Sequence, residues 1–380
     1  MRGCMQSASP IVPDVSGTPS LRAPQERASL ADRACASMPR YSKVLVVCPG
    51  NAMTAGPEAL HQLVADLNRL GQAAAIVYHP FDQRFETPPA YRKYGAPVGA
   101  YAQEPGTLIV FPEIFTMQAL RTRGADAAVW WMSINNFTGV RYGRPWRDRL
   151  RYWKYLLKGK RPWRGIKALA HLRHFAQSDY AREFLAGHGI ASQPLSDPIP
   201  VYTDPAYLQT LPQRLSAARR ADTILYNPTK GAPITARLQA AYPQWRFRPL
   251  RGLDREQLAQ AFLDAKLYID FGHHPGKDRL PREAALHGCC VITARHGSAA
   301  NAVDVPIPER YKLDVKDAAF VRRFGEVAGN VLGHFDTCTN EFAAYRHVIG
   351  GEPLAFDRQV IEAFGLSRQA TPAEATRPVS

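Results

Sequence analysis

The sequence predicts an α/β protein made of two Rossmann-like domains that face each other across a cleft. Short apolar runs of strand length alternate with segments of helical periodicity, first over residues 43–188 and again from residue 223. A proline-rich stretch at 197–218 separates the two series. This alternation favours parallel sheets covered by helices, and the break between the series indicates two domains.

Apolar runs in the first series predict the strands of one parallel sheet. These runs are 43–48, 73–78, 107–111, 127–131 and 173–177. A helix is predicted at 58–70, because leucines recur along one face at helical spacing. A short helix at 179–188 is expected to stop at Gly189, since glycine readily takes the left-handed conformation that ends helices.

The second series predicts another parallel sheet with its own helices. Its strands are predicted at 223–226, 245–249, 267–271 and 290–293, and its helices at 233–241, at 255–265 and over most of the chain from Asp317. The predicted organisation is a disordered leader at 1–40, an N-terminal domain at 41–200, a hinge at 201–218, a C-terminal domain at 219–335, terminal helices at 336–366 and a disordered tail at 367–380. Met38 is an alternative start to Met1, because it lies just before the first strand.

The segment from Tyr268 to Thr293 is the most informative part of the chain. An apolar strand leads into a glycine-containing loop, and Pro281 then lies where the first residue of a helix is favoured. Such a βαβ unit places the loop at the carboxyl end of the strand, where open parallel sheets bind ligands and helix N-termini attract phosphate. Lys277 and Arg279 add positive charge, and Glu283 can accept hydrogen bonds from sugar hydroxyls. The segment therefore predicts a nucleotide-binding site.

Two stretches of the second series resemble a known family. Residues 280–293 resemble the glutamate-containing helix and following strand in the C-terminal domain of GT-B glycosyltransferases, and residues 227–231 are similar to the loop after that domain's first strand. The resemblance extends loosely over residues 43 to about 335. Many retaining members carry an earlier glutamate whose place is taken here by Pro275, so the stereochemical outcome is not implied.

The resemblance implies roles for several residues. Glu283 would bind the ribose of a nucleotide-sugar donor, and Lys230, with Thr229 beside it, would contact the donor diphosphate. The loop with Gly50 and Asn51 would border a phosphate of the donor or acceptor. A tight turn before a helix explains that glycine loop equally well.

Charge at the predicted donor site makes a metal ion unnecessary. Lys230, Lys277 and Arg279 would neutralise the charge that develops on the leaving diphosphate, which is work that a metal ion does in other transferases. No paired-carboxylate motif accompanies them, so no metal is expected. The nucleotide sugar is a co-substrate, and no bound cofactor is expected.

Further contacts with the donor are predicted in neighbouring loops. At least one of His273 and His274 is expected to reach the donor, with ordinary loop packing as the alternative. No carboxylate or thiolate array is apparent beside this pair, which argues against a metal site. Ser298 and Asn301 follow the strand that ends at Thr293 and are expected to face the cleft, with a purely structural place equally possible.

Glu113 is the candidate catalytic base. It follows a buried strand, and a carboxylate whose pKa is raised by burial can deprotonate an acceptor hydroxyl. A helix-capping or hinge role is the alternative. His61 and His79 are other possible bases, although His61 falls within a predicted helix.

The segment from Arg141 to Arg173 has twelve Lys or Arg residues and one acidic residue, Asp148. An apolar stripe and an adjoining basic stripe recur at helical spacing: Trp146, Leu150, Trp153 and Leu157, and Arg147, Arg151, Lys154 and Lys158. This pattern predicts an amphipathic insertion that binds an anionic membrane surface. The alternatives are an insertion whose Trp face packs on the N-terminal domain and, ranked third, a nucleic-acid-binding surface.

Bulk composition agrees with a cytoplasmic enzyme. The 380 residues carry a net charge of +15 and six cysteines without metal-ligand or disulfide spacing. No apolar run approaches the roughly 18 residues that span a bilayer, and the leader has no signal-peptide core. We predict a glycosyltransferase at the inner face of the cell membrane that acts on a glycan acceptor, expected to be lipid-linked, without a nucleic-acid partner. A nucleotide-sugar epimerase, a phospho-polyol transferase on the same scaffold and a nucleic-acid-binding protein are the alternatives.

Overall fold

The computed structural model describes residues 41–139 and 145–366. The predicted leader with both candidate start methionines, the predicted tail and the beginning of the basic segment, including Arg141, lie outside the described residues. The described chain contains two parallel β-sheets covered by helices. The predicted α/β class with two Rossmann-like domains is therefore confirmed.

The first sheet has six parallel strands in the order β2–β1–β3–β4–β5–β6. They are β1 (Lys43–Pro49), β2 (Ala74–His79), β3 (Thr107–Pro112), β4 (Asp126–Trp131), β5 (Arg173–Ala176) and β6 (Gln193–Pro194). Apolar clusters lie on both faces of this sheet. Strands buried on both faces are apolar at nearly every position, which explains why the sequence shows continuous runs there.

Helices connect these strands, and those predicted at 58–70 and 179–188 lie near their predicted bounds. The helices are α1 (Ala55–Arg69), α2 (Thr116–Arg121), α3 (Ile134–Thr138), α4 (Pro145–Leu157) and α5 (Asp179–Ala186). α1 begins three residues before Glu58, because Pro57 is tolerated in a first turn whose N–H groups have no helical partner. α5 begins at the Ser178 cap, whose hydroxyl accepts from the Ala181 N–H, and ends before Gly189.

The second sheet has five parallel strands in the order β11–β10–β9–β7–β8. They are β7 (Ala221–Tyr226), β8 (Arg246–Pro249), β9 (Ala265–Asp270), β10 (Cys290–Ala294) and β11 (Lys312–Leu313). β9 lies at the centre and is buried along most of its length. The loops after β7 and β9 therefore lie side by side at the carboxyl edge of the sheet.

The helices of this half include one within the predicted hinge. They are α6 (Pro205–Ala217), α7 (Ala232–Ala241), α8 (Arg255–Asp264), α9 (Arg279–Leu286), α10 (Phe320–Gly333), α11 (Phe335–Asn340) and α12 (Ala343–Phe364). α6 fills most of 201–218, because Asp204 caps it and Pro205 occupies its first position, where proline is favoured.

Helix α12 joins the two halves of the molecule. Its first turns place Tyr345 and Ile349 in the core around the second sheet. Its last turns place Phe356 and Val360 in the core beside the first sheet. The chain thus returns to its N-terminal half, which the sequence pattern does not predict because these contacts join residues about 300 positions apart.

Candidate functional site

A cavity of about 360 Å³ lies between the two sheets, at the carboxyl ends of their strands. One wall comes from the start of α1 and the turn around Tyr91. The other comes from the loops that follow β7 and β9. The lining includes Thr54, Glu58, Asn227, Lys230, Asp270, Asp278 and Arg279. The volume is within the range of small-molecule sites, and the position is the one at which open parallel sheets bind ligands.

Lys230 is positioned by the tight loop between β7 and α7. The next residue, Gly231, has a φ of +67°, and a Cβ there would lie 2.8 Å from the carbonyl of Phe271. Glycine therefore lets this loop contact the end of β9. The ammonium of Lys230 lies 2.6 Å from Oδ1 of Asp278 and lines the cavity. Burial acts to lower the pKa of Lys230, but Asp278 and Asp270 outweigh it and raise that pKa.

His274 is buried behind this ion pair, with an oxygen acceptor at each ring nitrogen. Nε2 lies 3.0 Å from the Asp270 carbonyl oxygen, and Nδ1 lies 2.9 Å from Oδ2 of Asp278. The Nε2 contact is a hydrogen bond, whereas the Nδ1 contact is an ion-pair distance only, since Oδ2 of Asp278 accepts no hydrogen bond from the described residues. Burial opposes a positive charge on this ring, yet the two neighbouring carboxylates raise the pKa of His274. Burial likewise acts to raise the pKa of Asp278, but Lys230 and His274 outweigh it and lower that pKa.

The expectation that no carboxylate accompanies the histidine pair is therefore wrong. Asp270, His274 and Asp278 place ligand-type atoms within 4.8 Å of one another. These groups nevertheless fit a metal ion poorly. Nε2 of His274 lies against the Asp270 carbonyl oxygen, and the Asp270 side-chain oxygens accept from the Tyr268 hydroxyl and the Gly272 N–H. Lys230 is paired with Asp278 as well, so part of the negative charge of the two carboxylates is already neutralised.

Helix α9 places Arg279 and Glu283 near the carboxyl edge of the second sheet. It begins at Arg279, two residues before the predicted Pro281. Nη1 of Arg279 lies 2.9 Å from Oε2 of Glu58, and its Nε lies 3.3 Å from Oε1 of Glu283. Burial raises the pKa of Glu283, while the nearby arginines oppose the shift. The buried Oε2 of Glu283 accepts no hydrogen bond from the described residues, and Glu283 itself does not line the first cavity.

Lys277 does not join Lys230 and Arg279. Its ammonium lies 2.7 Å from Oε1 of Glu352 on α12. It lines a second cavity, of about 400 Å³, together with Asp304 and residues of α12. Lys277 and Arg279, which are two positions apart after β9, therefore line different cavities. The sequence alone does not indicate this separation.

The other predicted donor contacts lie outside the first cavity. His273 packs edge-on against His296, and the buried hydroxyl of Ser298 donates to the Gly276 carbonyl oxygen. The amide of Asn301 donates to a carboxylate oxygen of Asp179. Thr229 donates from both its N–H and its hydroxyl to Oδ1 of Asn227. These side chains shape or connect the loops.

The loop after β1 borders the cavity, but through residues that follow the predicted pair. A Cβ on Gly50 would overlap the ring of Phe85, so glycine is required there for packing. Asn51 is exposed, with a φ of +57°. Thr54 and Glu58 contribute the wall instead. A first-turn carboxylate after a glycine loop is a signal from which Glu58 could be found in the sequence.

Glu113 is buried beneath the N-terminus of α3. Its oxygens accept from the Met132 N–H at 3.2 Å and from the Asn136 amide at 2.8 Å. Burial raises its pKa, and these hydrogen bonds oppose the shift. Glu113 is absent from the linings of both cavities described above. This geometry favours the capping role, and catalysis by Glu113 stays a prediction.

Helix α4 exposes its apolar stripe. Its four members are between 52% and 73% exposed: Trp146 59%, Leu150 62%, Trp153 52% and Leu157 73%. The alternative in which this face packs on the N-terminal domain is therefore wrong. The other face of α4 contacts the rest of the protein. Leu156 is buried, and the side chain of Arg151 donates to the Gly139 carbonyl oxygen. None of the described helices is long and apolar enough to cross a membrane.

Comparison with known proteins identifies the architecture. No protein-family model and no curated protein sequence matches the chain. Among solved structures, sucrose-phosphate synthase from Thermosynechococcus elongatus aligns with a TM-score of 0.59 at 11% identity, over 85% of this chain and 98% of that one. HepE from Anabaena, in complex with UDP-glucose, aligns with a TM-score of 0.54 at 13% identity, over 85% and 99%.

A glycosyltransferase from Rickettsia africae also aligns, with a TM-score of 0.54 at 12% identity, over 87% of this chain and 100% of that one. The chain has the GT-B fold. In a GT-B protein, the first cavity is the space between the two Rossmann-like domains. The predicted Lys230 and Arg279 line it, with Glu283 beside Arg279, and Glu58, Asp270 and Asp278 are the charged lining residues that sequence reasoning missed.

Proposed function

We propose that the protein is a glycosyltransferase that moves a sugar from a nucleotide-sugar donor to a hydroxyl of a glycan acceptor. The observation that carries this proposal is the interdomain cavity lined by Lys230 and Arg279, with Glu283 paired to Arg279 and one buried Glu283 oxygen left without a hydrogen bond from the described residues. Cations suit a diphosphate, and a buried carboxylate acceptor suits the vicinal hydroxyls of a ribose. These two chemistries occur together in a nucleoside diphosphate sugar.

Each residue has a defined part in the proposed reaction. Lys230 and Arg279 stabilise the negative charge that grows on the diphosphate as the glycosidic bond breaks. Glu283 accepts from the ribose and fixes the donor relative to those cations. Asp278 holds the Lys230 ammonium at the cavity wall until the diphosphate competes for it. Lys277 has no direct part, since it is paired with Glu352 on the other side of the loop.

The proposal extends to a lipid-linked acceptor at an anionic membrane surface. Four large apolar side chains on α4 are more than half exposed, and Arg147, Lys154 and Lys158 are exposed beside them. An exposed apolar stripe flanked by cations supplies both contributions that stable interfacial binding requires. Exposure of the stripe also disfavours an ordinary packed insertion.

The competing classes are separated by ligand-induced shifts of the unfolding temperature. We expect nucleoside diphosphates to raise the Tm and oligonucleotides to leave it unchanged at physiological salt. A shift with oligonucleotides alone would support the nucleic-acid alternative. An epimerase would convert a nucleotide sugar without releasing nucleoside diphosphate, so release of the diphosphate in the presence of acceptor distinguishes transfer from epimerisation.

A further inference from the structure

Three cationic side chains and one hydroxyl converge on the carboxylate of Glu58. Lys93 Nζ lies 3.0 Å and Arg255 Nη2 lies 3.7 Å from Oε1, and Arg279 Nη1 lies 2.9 Å from Oε2. The Tyr94 hydroxyl donates to Oε1 at 2.9 Å. Glu58 and Lys93 come from the N-terminal half, and both arginines come from the C-terminal half. One buried carboxylate therefore holds cations from both sides of the cleft.

This cluster contains more positive than negative charge. Three cations face Glu58, and the only further carboxylate paired with them among the described residues is Glu283, on Arg279. Three positive and two negative charges leave an excess of one. Burial lowers the pKa of Lys93, and the neighbouring arginines add to that effect against Glu58. The cluster would therefore gain from a ligand with more negative charge than one carboxylate.

We propose that Lys93, Arg255 and Arg279 form a phosphate-binding subsite of the first cavity, and that Glu58 occupies this subsite until a phosphate group displaces it. Glu58 and Arg279 line the cavity, and Lys93 and Arg255 reach Glu58 from outside that lining. A phosphate offers three oxygens to these three donors, and charge-assisted bonds of this kind are the stronger ones. Because the cations belong to both halves, a phosphate here would bridge the cleft.

The identity of the ligand at this subsite rests on the proposed function. The binding of phosphate at the subsite does not. The phosphate belongs either to the nucleotide donor or to a phosphorylated acceptor. Inorganic phosphate is the probe for the shared chemistry, because it needs neither the nucleotide nor the sugar.

The test is calorimetric titration of inorganic phosphate into wild-type protein and four charge variants. Glu58→Gln keeps the size of the side chain but replaces one acceptor oxygen with an NH2 group and removes the competing charge, so phosphate should bind about tenfold more tightly. Lys93→Gln and Arg255→Gln should each weaken binding by about tenfold. Arg92→Gln is the matched control, because Arg92 is exposed and adjacent to Lys93, donates to the Thr87 carbonyl oxygen and lies 3.6 Å from exposed Glu86. It should bind phosphate as wild type does.

Competition then identifies the source of the phosphate. If saturating UDP, GDP, ADP or CDP abolishes phosphate binding, the donor's own phosphate fills the subsite. If phosphate still binds beside the nucleotide, the subsite serves a second, phosphorylated ligand. If no nucleoside diphosphate binds but the variants behave as expected, the subsite stands and the donor proposal fails.

The proposal is overturned if Glu58→Gln, shown to be folded by its Tm, binds phosphate no more tightly than wild type. Glu58 would then be a structural clamp between the two halves. Should Glu58→Gln fail to fold, Arg255→Gln decides the question, because about half of the Arg255 side chain is exposed and its loss leaves the other contacts of Glu58 in place. Unchanged phosphate affinity in Arg255→Gln would also overturn the proposal.

Discussion

The ammonium of Lys230 lies 2.6 Å from one oxygen of Asp278, whose other oxygen lies 2.9 Å from Nδ1 of His274. Asp278 thus joins an ammonium at the cavity wall to the buried imidazole ring behind it. Lys230 follows β7 and Asp278 follows β9, so the pairing depends on the two strands lying side by side in the second sheet. The cationic wall of the cavity is therefore built by the fold and held by one carboxylate.

The buried His274 makes stability depend on pH. Its pKa is raised in the folded protein above the ordinary value of 6.5, so its stabilising contribution is full below that value and is lost as pH rises through the raised pKa. His274→Asn, which tolerates the positive φ of this position, should cost about 3 kcal/mol at roughly pH 6 and less at roughly pH 9. Urea unfolding at both pH values measures the difference. An equal cost at both values would contradict a raised pKa for His274.

Replacing Glu283 should weaken the binding of nucleoside diphosphate without lowering the stability of the fold. Glu283→Gln loses a charged acceptor, so nucleoside diphosphate binding should weaken by about 1.5–3 kcal/mol, or roughly tenfold to hundredfold in Kd. The Tm should stay the same or rise, because the variant removes a buried and unpaired carboxylate oxygen. Glu326→Gln, on the exposed face of α10, is the matched control. Unchanged affinity in Glu283→Gln would remove the ribose-binding role.

Chelation should leave transfer activity intact. Lys230 is already paired with Asp278, the Asp270 side-chain oxygens already accept hydrogen bonds, and Nε2 of His274 faces the Asp270 carbonyl oxygen. We expect activity in EDTA to match activity without it. Complete loss, restored by magnesium or manganese, would show that a metal ion displaces Lys230 from Asp278.

Removing the exposed cations of α4 should release the protein from anionic vesicles. Arg147, Lys154 and Lys158 should contribute about 1 kcal/mol each, so the triple Gln variant should bind at least tenfold more weakly. Arg151 is left unchanged because it packs inward. The control replaces Arg246, Arg251 and Arg322, three exposed arginines of the C-terminal half. Co-sedimentation with phosphatidylglycerol vesicles is the measurement, and wild-type binding should fall as salt rises.

Wild-type protein that stays in the supernatant at low salt would contradict the membrane proposal. Equal release by the triple variant and its control would show that net charge, rather than helix α4, governs vesicle binding.

The sequence predicts best what local pattern determines. The buried strands are recognisable in the sequence as apolar runs. The start of the helix that follows the β9 loop identifies Arg279 and Glu283 as candidate site residues. The direction of Lys277 is not predictable in this way, because its partner Glu352 is 75 positions away on α12. The role of Glu58 cannot be predicted from local pattern either, since its cationic partners come from three separate segments. Long-range charge pairing requires the fold.

Phe85 gives a second example of this limit. A glycine loop after the first strand resembles a phosphate site in sequence, yet the ring of Phe85 covers Gly50 in the structure. The same glycine pattern serves close packing and ligand approach equally well. Only the neighbouring segment decides between them, and it is 35 positions away.

The most direct test of the donor site compares two lysines that the sequence places in one group and the structure separates. Calorimetric titration of nucleoside diphosphates and nucleotide sugars into wild type, Lys230→Met and Lys277→Met removes one ammonium at a time while keeping its apolar stem. We predict that wild type binds a nucleoside diphosphate and its sugar derivative, that Lys230→Met loses about tenfold or more in affinity, and that folded Lys277→Met binds as wild type does. No binding by wild type, or equal loss in both folded variants, would contradict the assignment of the first cavity as the donor site.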